Sequence, residues 1–459
     1  MSMINIALSG AVAAQAALNA SSQNIANVMT PGYTRQGVLL AAQAPLQGGV
    51  AAAGSGVNVS ALLRFSDSYK SQQLWSANSQ LGTRDTVQPY LSQLEQVMGS
   101  STASINVGLD GFFKALNAAS VDPSSSPLRQ QVLTSAGALA QNFNTMAQVL
   151  ANQRISVDAQ RSSMVTQINA YSTAIAKYNQ EISLAQANGD NASGLIDQRD
   201  QSIDQLAKLV GVQVVNQADG ARNVSLLNGQ PLVAGNTAGV MAVQSSPSGA
   251  QVLTLQFAKE NFVLPDSQLG GAMGGLGSLE QQTLLPMLQS LSDMASGLAT
   301  AVNNQLAAGF TPAGNPGQPL FLPAVPGSSN LLSVDTSLQA QDLAFAGSAT
   351  TPGDSSNLLQ IIGLRGSTMT VSGLGPVTLG DAYTQLMGNL GTQSQQNQTA
   401  LTTAQTVRNQ TEENWKSTSG VSQDEEATNL VQFQQMYQAN MKVIAVANQL
   451  FDSTLAMMG

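Results

Sequence analysis

The sequence predicts a mainly α-helical protein with an inserted β module. Its terminal helices pair as a coiled coil, a discontinuous helical rod domain follows, and a small β domain sits in the middle. Three observations predict this. Apolar residues recur every seven positions at both chain ends. Three- and four-residue apolar spacing fills most of the interval between them. Near position 212 that spacing gives way to alternation and a hairpin signal.

The N-terminal element comes first. Ile4, Ala11, Leu18 and Ile25 form one heptad row, and Ala7, Ala14, Ser21 and Val28 form its companion. Together they make an a/d seam. The seam is small and includes a serine, so a lone helix carrying it is marginal in water. No charged side chain precedes Arg35. The turn Asn27 to Arg35 ends the helix. Pro31 disfavours helical backbone at Thr30, Gly32 accepts positive φ, and Tyr33 follows.

The C-terminus mirrors this. Leu430, Tyr437, Ile444, Phe451 and Met458 are spaced by seven, with Phe433, Asn440, Ala447 and Thr454 as the second row. Met436, Val443 and Leu450 widen the stripe, and from Ala427 onward only Lys442 and Asp452 are charged. Ser422 or Asp424 suits the N-cap, and the acids at 424–426 suit a helix start. Two low-charge stripes of this kind fit an antiparallel pair closing one core. They also fit ends that pair with each other and with further subunits, because amides and small residues pack against copies without desolvating ions.

Helical spacing predicts further helices at 66–98, 105–119, 128–188, 194–209, 279–307, 355–362 and 380–416. Val212-Gln213-Val214 opens a β insert, Asn228-Gly229 marks a hairpin, and 238–244 and 251–264 supply more strands. The glycine-rich stretch 269–277 reads as a linker. Residues 310–354 read as loop with short strands, and 366–379 as a hairpin. The expected domains are 1–60 with 420–459 as a terminal coiled-coil segment, disordered in the monomer, 61–210 with 276–419 as the rod (loop and short strands at 310–379), and 211–275 as the outer β domain.

Composition narrows the chemistry. Of 459 residues, 9% are charged, against a usual quarter or so. The net charge of −9 forms no basic stripe, so no nucleic-acid partner is expected. No uncharged apolar run of about 18 residues stands out, so no membrane insertion is expected. The start lacks the charged n-region of a secretory signal. There is no cysteine and no histidine, which removes disulfides, thiolate metal sites, Ser-His-Asp triads and two-His zinc motifs. "GAMGGLG" at 271–277 follows no clear βαβ strand, so it is a linker before it is a nucleotide loop. Asp190 to Gly194 lacks the carboxylate spacing of a calcium loop. Asp197, Asp200 and Asp204 share one helix with Arg199 between them, the pattern of a solvated face. Glu412-Glu413 and Glu425-Glu426 read as exposed acids. No catalytic residue, metal ligand or cofactor is expected.

Three stretches carry a resemblance. "NIALSGAVAAQAALNASSQNIANVMTPGYTRQ" at 5–36 resembles the N-terminal signature of the bacterial flagellar rod, hook and hook-associated axial proteins. "LIDQRDQSIDQLAKLVGV" at 195–212 and "SGVSQDEEATNLVQFQQMYQANMKVIAVANQLFDSTL" at 419–455 are similar to the central and C-terminal helices of the hook-associated protein 1 family. The matches stand in the right order and cover about a fifth of the chain. Val421 to Asp424 departs slightly from that family's usual residues, Met29-Thr30-Pro31 is closer to the rod and hook version of the turn, and the chain is short for the family.

The resemblance implies a structural component of the hook–filament junction. Its terminal helices form the inner core of a tubular assembly around an export channel, ordering as the subunits assemble. It implies type III export without a cleaved signal, an extracellular flagellar location, and self-assembly into a ring or helical layer. Its implied partners are the hook protein, the second junction protein and a cytosolic export chaperone at the C-terminal helix. A hook or distal rod protein is the alternative, opposed by Tyr33 to Gln36 and by the Asp-Gln-Arg-Asp helix. A cell-wall enzyme or an adhesin fused to axial segments is the alternative from other classes.

Overall fold

The computed structural model describes residues 2–44, 54–100, 104–245, 251–322, 330–351 and 353–458. Parts of the predicted β insert (246–250) and of the predicted loop segment (323–329 and 352) lie outside this set, as does the side chain of Met458.

Helix α1, Ser2–Ala26, leads through a turn into strands β1, Gln36–Gln43, and β2, Gly56–Arg64, an antiparallel ribbon with a register shift at Leu39/Leu40. These strands are not among the predicted elements, although Val57 and Val59 alternate with polar Asn58 and Ser60. Helix α2, Ser68–Met98, starts where Asp67 accepts from the Tyr69 and Lys70 amides. Helices α3, Ile105–Val121, and α4, Ser126–Asn188, follow as predicted. Pro127 sits in the first turn of α4, where its missing N–H costs nothing, and Gly189 closes the helix in the left-handed region. Helix α5 is Ser193–Leu209.

The β insert contains two antiparallel sheets. The first runs β3, Val212–Asn216, β4, Arg222–Leu226, β5, Pro231–Ala234, and β6, Thr237–Ala238, in that order. The second is β7, Val240–Ser245, β8, Gln251–Phe257, and β9, Glu260–Leu264. The turn expected at Asn228-Gly229 joins β4 to β5, and the strand region expected at 251–264 holds β8 and β9 with a turn between them.

The stretch expected to be a linker, 269–277, is instead the buried helix α6, Gly271–Leu279. Its glycines serve contact, not flexibility: a Cβ at Gly275 would lie 2.5 Å from the Thr83 carbonyl oxygen of α2. Small residues let two helix backbones approach where larger ones would clash. One π turn, Glu280–Leu284, connects α6 to α7, Leu285–Ala307. That turn places the buried Glu280 carboxylate 3.1 Å from Arg154 Nη2 and 3.3 Å from Arg161 Nη1.

Short strands β10, Phe321–Leu322, and β11, Ser333–Val334, then helix α8, Ser356–Gly363, and the hairpin β12, Thr368–Val371, with β13, Gly375–Thr378, fit expectation. The loop is pinned by the buried Arg129, which donates to the Leu343 carbonyl at 2.6 Å and stacks on Phe345. Burial without an anion pulls that guanidinium down to about 10. Helix α9, Leu379–Ser419, returns along α2, and α10, Gln423–Met458, pairs with α1.

One contiguous apolar core runs through the rod and the β insert, from Trp75 to Leu390. Among the described residues, α1, β1, β2 and α10 contribute nothing to it.

Candidate assembly interface

The site is the pair α1/α10 and the joint that fastens it to the rod. In α1 the predicted residues Ala7, Ala11 and Ala14 are buried, and Ile4, Leu18 and Ile25 are half-buried, as is Val28 in the turn just past the helix. In α10, Leu430, Phe433, Tyr437, Asn440, Ile444 and Ala447 are half-buried, while Phe451 is exposed. The heptad rows therefore face each other, and the pairing fades toward the free end of α10. Gly10 and Asn440 show how closely the backbones approach: a Cβ on Gly10 would lie 2.6 Å from Asn440 Oδ1. On its other side α1 carries the β1/β2 ribbon, anchored where the Val57 amide donates to Ser9 Oγ at 3.1 Å.

One expectation about α1 needs correcting. The helix over Met3–Ala26 is long and apolar enough, by length and composition, to cross a membrane. The stretch is alanine-rich but interrupted by Ser, Gln and Asn, so it does not stand out as an unbroken apolar run. Here Ala7, Ala11, Ala13, Ala14, Ala17 and Ala20 are buried against protein.

The turn residues assemble a joint. Thr30 Oγ1 donates to Asn27 Oδ1 at 3.2 Å, Pro31 is exposed, and Gly32 takes φ +77°. Asn24, given no role by sequence reading, is fully buried at the centre. Its Oδ1 accepts from the Tyr33 hydroxyl and from the Gln36 amide, each at 2.9 Å, and its Nδ2 donates to the Gln36 carbonyl at 2.8 Å. Burial, with the charges of Asp197 and Glu426 nearby, pushes the Tyr33 hydroxyl up to about 12.

Arg35 ties the two chain ends together. Its amide donates to the Ser419 carbonyl at 2.8 Å. Its side chain pairs with Glu425 at 2.7 Å and Glu426 at 3.0 Å, and lies over the Phe65 ring. Glu426, expected to be an exposed acid, is buried because Arg35 neutralises it there.

The aspartates of α5 depart further from expectation. They are not a solvated face. Asp197 accepts from the Thr34 amide at 3.1 Å and from Arg64 Nε at 2.8 Å. Asp200 pairs with Arg64 at 3.0 Å, with Arg199 at 3.3 Å and with Arg222. Asp204 pairs with Lys208 at 3.7 Å and accepts from Asn78. Burial raises the Asp197 carboxyl against the pull of Arg64. Two sequence-distant motifs, Tyr33 to Gln36 and Asp197 to Asp200, thus meet at Arg64. Arg64 and Arg222 lie far from α5 in sequence, and only the folded chain brings them to it. A cleft of about 530 Å³ lies beside this joint, lined on one side by the turn 27–33 and on the other by Trp75, Asp204 and Trp415.

Both chain ends packed as one low-charge helical pair, fixed by an ionic joint to a rigid rod, define an axial structural subunit. Comparisons agree. The model of the flagellar hook-associated protein FlgK helical domain matches residues 91–321, and that of the flagellar basal body rod FlgEFG protein C-terminal region matches 417–457. Flagellar hook-associated protein 1 of Salmonella typhimurium is 30% identical, covering 99% of both chains. Those of Escherichia coli and Bacillus subtilis are 28% and 26% identical, covering 99% and 97% of this chain and 99% and 96% of theirs. The solved flagellar hook junction protein FlgK of Burkholderia pseudomallei shares the fold, with a TM-score of 0.68 at 21% identity over 75% of this chain and 100% of that one. The chain belongs to the flagellar hook-associated protein FlgK family and is a structural component of the flagellar axis. The Salmonella alignment runs over 548 positions while this chain has 459 residues, so the relative carries insertions that this chain lacks.

Proposed function

We propose that this chain forms a layer of the junction between hook and filament, assembling with copies of itself through 1–60 and 420–459. The observation that carries this is the apolar surface left open on α1 and α10. In this reading the terminal segments are disordered in the free monomer and take the paired form when neighbours cover them. Ordering each residue costs about 1–2 kcal/mol of backbone entropy, and a seam rich in alanine buries too little area, at roughly 25 cal/mol/Å², to offset that alone. The rod (61–210 and 276–419) packs in the next shell, and the β domain (211–275) faces outward.

The residues proposed to build the core are Ile4, Ala7, Ala11, Ala14, Leu18, Ile25 and Val28 with Leu430, Phe433, Tyr437, Asn440, Ile444, Ala447 and Phe451. The turn Asn27, Pro31, Gly32, Tyr33 and Arg35 directs the chain from the inner shell to the outer. The proposed partners are the hook protein, the second junction protein and an export chaperone on α10, with export through the flagellar type III gate to the cell exterior. The role is structural and non-catalytic. The charged clusters at α5 and at Glu280 are ion-paired within the fold, which supports that reading.

Deleting 420–459 tests it. Incorporation and motility should be lost while a folded, soluble rod remains. A truncated chain that still supports filament growth would refute the assignment.

A further inference from the structure

The terminal segments carry little charge, and most of it meets at one point. Arg35 is the only charged side chain in residues 1–60, and 420–459 holds Asp424, Glu425, Glu426, Lys442 and Asp452. Arg35 Nη1 pairs with Glu425 Oε2 at 2.7 Å, and Arg35 Nε with Glu426 Oε1 at 3.0 Å. Both acids lie in the first turn of α10, yet the Glu425 side chain is 61% exposed and that of Glu426 only 2%. First-turn acids suit the helix dipole, but the dipole favours no particular face and does not bury a carboxylate. Adjacent residues on a helix stand about 100° apart. Only a narrow range of rotations of α10 therefore brings both carboxylates to one guanidinium.

The guanidinium is itself held in place. The Phe65 amide donates to the Arg35 carbonyl at 3.0 Å, and the guanidinium lies over the Phe65 ring, 5.0 Å from its centroid. That ring rests against Gly37, where a Cβ would lie 2.9 Å from Phe65 Cε2. Phe65 follows Arg64, which is paired to α5, so Arg35 is mounted on the rod. The seam between α1 and α10, by contrast, says little about register. Its α1 side is a row of alanines, Ala7, Ala11, Ala14 and Ala17. Sliding α10 by three or four residues exchanges its two heptad rows and moves it about 5 Å at 1.5 Å per residue. Apolar side chains still meet alanines after such a slip, but both Arg35 pairs are broken. A single polar contact of this kind picks one register among near-equal ones.

Resting on the self-assembly reading above, in which the pair takes form as subunits assemble, we propose that Arg35 is the positioning residue that sets the rotation and axial register of α10 against α1. Ordering starts from a fixed point at the joint, so every copy presents the same face of α10. The residue has to be arginine. A planar guanidinium offers Nε and Nη1 to two carboxylates at once while it stacks on a ring, and a lysine ammonium does not.

The absence of cysteine allows a register reporter. Asn440 Cγ would lie 2.8 Å from a Cβ at Gly10, so Gly10→Cys with Asn440→Cys is within reach of a disulfide, which needs Cβ atoms roughly 3.5–4.5 Å apart. The double-cysteine chain is assembled with an excess of wild-type chain, so that the bond forms within one copy, and the axial structures are oxidised and mapped by peptide mass spectrometry. With Arg35 in place the 10–440 bond should form. Arg35→Gln should cut its yield at least fivefold and raise the yield of a slipped bond, read with Gly10→Cys and either Tyr437→Cys or Ile444→Cys. Arg35→Lys should restore less than half of the 10–440 yield. An unchanged yield in Arg35→Gln or a full yield in Arg35→Lys overturns the assignment. So does loss of the 10–440 bond with no rise in either slipped bond, which is the mark of lost stability alone. Where Arg35→Gln is not incorporated, Glu425→Gln at the exposed carboxylate should lower the 10–440 yield at least twofold with a slipped bond rising, and an unchanged yield there overturns it equally. An unchanged yield in Arg35→Gln leaves the self-assembly reading standing and removes only Arg35. Failure of the 10–440 bond in the chain that keeps Arg35 removes the paired form, and the self-assembly reading with it.

Discussion

The rod and the terminal pair are both helical, yet they are held together by different means. The rod core is made of large side chains at zero or near-zero exposure, among them Phe112, Phe143, Leu139 and Tyr383. The terminal pair closes over alanines and one glycine, and leaves Val443, Leu450 and Phe451 in solvent. Apolar area removed from water sets the difference. A helix lined with Leu and Phe is stable in one molecule, whereas under the proposed assembly a helix lined with Ala would gain the rest of its burial from a neighbour. The joint between them is ionic, which fixes an angle more than it adds stability.

Substitutions can break or sharpen this contrast. Phe143→Ala should destabilise the rod by about 3–5 kcal/mol, read as a lower denaturant midpoint for the full chain. A loss under about 1 kcal/mol would mean that the rod is not the stable body. Asp200→Asn removes the carboxylate that pairs with Arg64, Arg199 and Arg222, while Asp197 still pairs with Arg64. Leaving those guanidiniums under-neutralised should cost about 3–5 kcal/mol, read as a lower denaturant midpoint for the full chain. Gly10→Val places a side chain where Asn440 lies and should cut incorporation without lowering the rod's unfolding midpoint. A parallel fall in both would tie α1 to the rod's own stability.

Two smaller effects follow. The Tyr33 hydroxyl ordinarily ionises at 10.0 and is held up to about 12. The unfolded chain therefore loses that proton first, and the stability Tyr33 contributes falls as pH climbs from about 10 to about 12. Because 1–60 orders only on assembly in this account, a phenolate absorbance titration of assembled axial structures should show one late-ionising tyrosine that disappears in Tyr33→Phe. Smallest of all, Val443→Ala should change monomer stability by under about 0.5 kcal/mol, since Val443 is already 38% exposed on a segment this account holds to be disordered in the monomer.

The helices and the hairpin turn could be read from sequence because periodicity and turn chemistry are local. The heptad rows of α1 and α10 gave their pairing for the same reason. The glycine run at 271–277 misled, since close helix contact and a flexible linker ask for the same residue. Asp197 and Glu426 misled too: a carboxylate beside an arginine in sequence looks solvated, and only the fold brings Arg64 and Arg35 to cover them. Asn24 was unreadable because its partners, Tyr33 and Gln36, reach it only after the chain turns back at Gly32.

Amide hydrogen exchange on the purified monomer tests the central claim most directly. The account predicts near-complete exchange across 1–60 and 420–459 beside strong protection in α3, α4 and α7. Protection of α1 and α10 equal to that of α4 would contradict it.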